Sequence, residues 1–199
     1  GPVIQKSSSK AISNGMTLKV LFGQLEGFRE KIHVPVILMG YVNTVMQYGI
    51  EAFCEKCSEI GIDGVILPDL PLYEYETFYR PQFEKYGLLN VFLVTPQTTD
   101  ERIIELDKAT EGFLYLVSTA STTGSNKKVA DMTSYLDKIH KMELSSNTIV
   151  GFNIKDSDTF ETACKYSNGA IIGSAFINAI DGSEKVEEDV KVFVKSINA

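Results

Sequence analysis

The sequence predicts an α/β protein on a parallel sheet, a TIM-type (β/α)8 barrel of which six strand–helix units are recognisable. Three observations carry this. Short apolar runs alternate with amphipathic helical segments from residue 34 onward. Nearly all of those runs are apolar on both faces, as strands covered by helices must be, where a half-solvated antiparallel sheet would alternate. Glycine-bearing corners follow the last three strands, at Gly124, Gly151 and Gly173, while no GxGxxG follows the first. A phosphate cup late in the chain belongs to the barrel, and an early glycine fingerprint to the open doubly wound sheet.

In chain order, residues 1–14 are polar with scattered apolar positions, helical from Ile4 to Ile12 and closed by Gly15. Met16 or Thr17 opens a helix to about Ile32, with Leu18, Leu21, Leu25 and Phe28 on one face. The run 34–41 (VPVILMGY) is a buried strand, followed by a helix over 49–60 that ends at Gly61. The unit then repeats: strand 64–69, helix 73–86 with Pro81 as a break or new first turn, and strand 91–96. Thr98-x-x-Glu101 reads as a capping box opening a helix to Ala109. Strand 113–118 leads into a polar loop, 119–130, longer than a usual βα connection. Tyr135, Leu136, Ile139 and Met142 mark the next helix. Strand 148–153 precedes a helix capped by Asp156 or Ser157, and 170–172 is the sixth strand. The last helix, 184–197, is expected to bury Val186, Val190, Phe193, Val194 and Ile197. The whole chain, 1–199, reads as one domain.

A net charge of -7 without a basic run argues against nucleic acid and anionic membranes as partners. No apolar stretch reaches membrane-spanning length and the start lacks a signal-peptide h-region, so a cytoplasmic protein is expected. Three cysteines, an odd number, do not suggest a disulfide framework. Cys54-x-x-Cys57 has metal-ligand spacing, but Ile50, Phe53, Cys54 and Cys57 follow i, i+3, i+4, i+7, the stripe of a buried helix face, so they read as core and no metal site is expected.

In either parallel architecture function sits at the C-terminal strand ends. Those ends carry Tyr41 and Asn43, Asp69, Thr95 and Gln97, Ser118, Gly151–Asn153 and Gly173–Ser174. The segment 168–180 (NGAIIGSAFINAI) is a strand that turns through Gly173 and Ser174 into a helix N-terminus, where unpaired N–H groups and the helix dipole favour an anion such as phosphate. Asp69, between Pro68 and Pro71, is the one carboxylate at a strand end and suits either a turn or a ligand contact. Lys127 and Lys128 read as surface charges, as do His33 and His140.

Four stretches, 63–71 (DGVILPDLP), 115–124 (YLVSTASTTG), 151–154 (GFNI) and 173–175 (GSA), resemble the tryptophan synthase alpha subunit in order and spacing. Residues 1–5 (GPVIQ) resemble the segment after that family's second strand. The resemblance implies a (β/α)8 barrel that cleaves indole-3-glycerol phosphate to indole and glyceraldehyde 3-phosphate. It implies a beta subunit as partner in an alpha2-beta2 complex, with pyridoxal phosphate in the beta subunit and no cofactor in this chain.

Carried over by motif, Tyr41, Asp69 and Tyr115 line the indole and glycerol part of the pocket. Gly124, Gly151, Gly173 and Ser174 hold the phosphate, and the loop from Thr119 to Ala130 is the lid. The chain departs from the family at Thr119-Ala120-Ser121, where Arg-Ala-Gly is common, and at Asn153, where glycine is common. The family's catalytic Glu and Asp stand on strand two and just before the segment that resembles Gly1-Pro2. Strands one and two and both catalytic carboxylates are therefore expected to be missing from these residues, leaving a chain with little or no activity and two open sheet edges. Two other readings fit the residues: a non-catalytic phosphate-ligand module acting through a partner, and another phosphate-binding barrel enzyme.

Overall fold

A computed structural model describes residues 1–117, 126–151 and 154–198, with backbone alone over 126–132. Among them six strands form one parallel sheet: β1 (Ile37–Met39), β2 (Gly64–Ile66), β3 (Leu89–Val94), β4 (Phe113–Val117), β5 (Asn147–Gly151) and β6 (Gly169–Ile171). Their spatial order is the chain order. A doubly wound sheet reverses direction at a switch point; this one never does, so the winding is that of a barrel wall. β1 and β6 end the sheet.

The two faces of the sheet separate by residue parity. Val65, Leu67, Phe92, Val94, Leu114, Leu116 and Val150 join the main core with Phe22, Phe53, Cys54, Cys57, Phe83, Ile103, Leu136 and Ile139 from the helices. Ile66, Val91 and Tyr115 form a second cluster with Ile37, Leu93, Phe113, Val117 and Ile171, all of them strand residues. Helices thus cover one face, and the other carries strand side chains alone, as a barrel interior does.

The helices are α1 (Pro2–Ser13), α2 (Leu18–Leu25), α3 (Val42–Tyr48), α4 (Ile50–Ile60), α5 (Leu72–Glu74), α6 (Arg80–Tyr86), α7 (Asp100–Ala109), α8 (Asn126–Lys141), α9 (Ser157–Cys164), α10 (Ser174–Ile180) and α11 (Val186–Ile197). Several differ from the sequence expectation. α2 is capped by Thr17 but stops at Leu25, because Gly27 turns left-handed (φ 73°) and only a 3-10 turn over Phe28–Glu30 follows. The segment 42–48, expected to be a loop, is helical, and Gly49 (φ 95°) separates it from α4. Its signal was Val42 and Val45 at helical spacing before a glycine. Residues 72–86 run on as one helical stretch through a π turn at Tyr75–Tyr79. The wider turn lets Pro81 enter the next helix, where its ring would otherwise press on the carbonyl four residues back.

α7 is capped by Thr99, whose hydroxyl accepts from Arg102 N, so the cap stands one residue after the expected Thr98 and the expected Thr98–Glu101 box is not formed. Thr98 accepts from Thr95 N instead, tightening the loop after β3. α8 begins at Asn126, so residues 126–130 are helix and not loop. Asp156 caps α9 as expected, in a reciprocal pair with Thr159. α11 buries Ile197 alone of its five expected positions; Val186 and Val194 are exposed.

The expected cysteine packing is observed: Cys54 and Cys57 are fully buried, and burial pushes their thiols up to about 11 and about 12. At the N-terminal end of the sheet Arg29 donates to the carbonyls of Gly61 and Val34, each at 2.7 Å, and pairs with Asp63. Asp63 also accepts from Val36 N. This end pins β1 to β2, which leaves the opposite end to carry the site.

Candidate functional site

All six strands run the same way, so the residues that follow them gather at one end of the sheet. The structure brings the sequence-predicted residues into three local groups there.

The first is built on β4 and β5. Tyr115 is buried at 5% exposure, in register with Leu93 on one side and Ile149 on the other. Its ring and hydroxyl occupy the space a side chain at position 151 would need. Gly151 is glycine for that reason: any Cβ there collides with the phenol. Burial raises the phenol's pKa, so Tyr115 stays protonated and offers an O–H at neutral pH.

The second group joins the ends of β1 and β2. Asp69 is exposed and its Oδ1 accepts from Val42 N at 3.0 Å. Val42 is the first residue of α3, and Tyr41, 68% exposed, is the residue before it. Of the two roles the sequence left open for Asp69, the structure shows the first, since one carboxylate oxygen is committed to a helix end.

The third group is Gly173 and Ser174, half-buried at the start of α10. Helix geometry leaves the first-turn N–H groups without acceptors inside the helix. Ile4 of α1 closes over this corner: its Cδ1 lies 3.3 Å from where a Gly173 Cβ would stand. α1 and α10 pack together along this contact. Ile4 was not singled out from the sequence. No local pattern could have found it, because the contact spans nearly the whole chain.

Met39 was missed for a different reason. It shares the helix-free face with Ile37 and is 59% exposed at the end of β1. The run is apolar throughout, so its letters do not tell the inner face from the outer.

Gly124, Ser118, Thr119, Ser121 and Asn153 lie outside the described residues, as does the expected lid up to residue 125. Thr95 and Gln97 are engaged in the turn after β3, where Gln97 N donates to Thr95 Oγ1. His33 and His140 are exposed, away from these groups. Among the described residues no cluster of His, Cys, Asp and Glu has metal-binding form, and no helix is long and apolar enough to cross a membrane.

Comparison with known proteins follows from this geometry. The family model described as tryptophan synthase alpha chain matches residues 1–199. The tryptophan synthase alpha chain of Christiangramia forsetii is 52% identical over 200 residues, covering 100% of this chain and 77% of that protein. That of Bacteroides thetaiotaomicron is 44% identical over 191 residues, covering 96% and 75%. Among solved structures, the tryptophan synthase a2b2 complex of Pyrococcus furiosus superposes with a TM-score of 0.87 at 29% identity, over 100% of this chain and 80% of that one. The tryptophan synthase alpha chain of Legionella pneumophila gives a TM-score of 0.85 at 29% identity, over 99% and 74%.

Proposed function

The chain belongs to the tryptophan synthase alpha chain family, and from that premise we propose that its C-terminal strand ends bind indole-3-glycerol phosphate as a pocket with an apolar wall and a phosphate cup. The family is a carbon–carbon lyase of tryptophan biosynthesis, and cleaves this substrate to indole and glyceraldehyde 3-phosphate. The observation that carries the reading is the pairing of two glycine corners on adjacent strands, Gly151 under the Tyr115 phenol and Gly173–Ser174 under Ile4.

In this reading the backbone at Gly173 and Ser174, with Gly124, takes the phosphate, because N–H groups at a helix start suit an anion, and Gly151 shapes the cup by yielding its side-chain space to the Tyr115 phenol. Tyr115, Tyr41 and Met39 face the indole and glycerol parts, and Asp69 orients them through its second oxygen.

Cleavage is acid–base chemistry. A proton delivered to the ring carbon that bears the side chain makes the ring an electron sink. Removal of the glycerol hydroxyl proton then lets the carbon–carbon bond break, leaving indole and an aldehyde. Two carboxyl groups are needed, and the groups assembled above contain one, Asp69. The 199 residues by themselves are accordingly inactive in this proposal. These steps require no organic cofactor here; pyridoxal phosphate belongs with the beta subunit.

The chain pairs with a tryptophan synthase beta subunit, as its relatives in the a2b2 complex do. Indole leaves from the C-terminal strand ends, so the partner must dock there. Tyr41, Met46 and Tyr73 are each more than 60% exposed on the segments following β1 and β2, and supply apolar surface for it.

The test is a titration of the chain with glycerol 3-phosphate, followed by backbone amide NMR, beside an indole-release assay. Shifts confined to Gly151, Gly173, Ser174 and their neighbours, with no indole formed, are the expected result. Shifts elsewhere overturn the cup, and turnover overturns the inactivity.

A further inference from the structure

We infer that Asp69 is a positioning residue for the partner surface: it clasps the start of α3 to the loop leaving β2, and so holds Tyr41, Met46 and Tyr73 in one apolar face. This rests on the pairing with a beta subunit proposed above.

α3 is tied to the core by Val42, Val45 and Tyr48, the last edge-on to Phe22, but its start has no local cap. It is seven residues long, its preceding residue Tyr41 offers no side-chain cap, and only Val45 is buried. Glycine stands on both sides, at Gly40 and at Gly49, where φ is 95°. The acceptor its first turn lacks comes from Asp69, 27 residues away in sequence. That loop is stiff: Pro68 and Pro71 flank the carboxylate, and Leu70 N donates to Leu67 O at 3.0 Å. A rigid acceptor thus fixes the uncapped start of the helix. Tyr41 and Met46 are carried by the α3 segment and Tyr73 by the segment behind Asp69. The Val42–Asp69 bond ties the two beyond the last backbone contact of the strands, Gly40 N to Ile66 O at 3.1 Å.

The donor can be removed independently of the acceptor. Val42 is the first helical residue, where proline is tolerated, and Tyr41 has the extended backbone (φ −110°, ψ 146°) that a residue before proline requires. Val42→Pro therefore deletes the N–H while keeping the helix, and Val42→Ala keeps the N–H while trimming the side chain. Asp69→Asn keeps an oxygen acceptor, and Asp69→Ala removes it.

The measurement is the Kd of each variant for the beta subunit, with glycerol 3-phosphate affinity as a second readout. Asp69→Ala and Val42→Pro are expected to weaken beta binding by about fivefold each, and the double variant no further than either. Asp69→Asn and Val42→Ala stay within about twofold of the unmodified chain. Unchanged beta binding by Val42→Pro, or equal losses in Asp69→Asn and Asp69→Ala, overturns the clasp. Loss of glycerol 3-phosphate affinity in Asp69→Ala with beta binding intact also overturns it, because Asp69 would then act on the ligand alone. If the unmodified chain does not bind the beta subunit, the pairing itself has failed. The clasp is then judged by amide exchange in α3, which must accelerate in both Asp69→Ala and Val42→Pro.

Discussion

Gly151 and Tyr115 are one unit. The glycine carries no information alone, and as a loop residue it would tolerate alanine. In the structure the phenol fills the place of the missing side chain. Gly151→Ala must push a 5%-exposed ring out of its position, an overpacking cost of about 1–3 kcal/mol. For a chain of this size that lowers the unfolding midpoint by about 2–12 °C. Removing the hydroxyl should return part of it, so Gly151→Ala in a Tyr115→Phe background is expected to melt higher than Gly151→Ala alone. Equal midpoints for the two would count against the contact. At this scale the sequence singled out Tyr41, Asp69, Tyr115, Gly151, Gly173 and Ser174 as site candidates. It did not show which touch which: Ile4 over Gly173, or Asp69 on Val42, are contacts between segments 169 and 27 residues apart, and spacing says nothing about such pairs.

At the scale of elements, the alternation of strand and helix was legible and the ends were not. Four strands read as six to eight residues, β1, β2, β4 and β5, have only three to five, because the apolar run continues past the last hydrogen-bonded pair, while β3 and β6 keep their expected lengths and shift by one or two residues. The helix start at 100 is instructive. Thr98 and Thr99 offer the same hydroxyl, and Glu101 favoured Thr98 as the cap. The loop decided otherwise, since Thr98 is taken by Thr95 N. Thr99→Ala should therefore cost about 1 kcal/mol in chemical denaturation. Glu101→Ala should change stability by less than about 0.5 kcal/mol, because no reciprocal box is formed. A larger loss from Glu101→Ala than from Thr99→Ala would restore the Thr98 cap. The helix at 42–48 was missed because its sequence, VNTVMQY, mixes β-branched and polar residues of modest helix propensity. Packing of Val45 and the distant Asp69 carboxylate make up for that.

For the whole molecule, the six-stranded wall has a covered outer face and an inner face that strand side chains alone cannot fill. Met39 and Leu89 remain 59% and 40% exposed on it, and among the described residues β1 and β6 have a strand neighbour on one side alone. Such edges are templates for further strands. The 199-residue chain is expected to associate with itself in sedimentation velocity as concentration rises, against the repulsion of its net charge of -7. Met39→Lys should reduce that association. A monomer at the highest soluble concentration would show that the edges are better protected than their geometry implies.

The sequence by itself determined the fold class, the core identity of the cysteines and the family, because apolar periodicity and short motifs are local properties of the chain. Only the tertiary structure decided that the winding never reverses, that helices cover a single face, that Gly151 yields its space to Tyr115, and that Asp69 serves a helix end. Each of these depends on which distant segments are brought into contact, and that is settled by packing the whole chain at once.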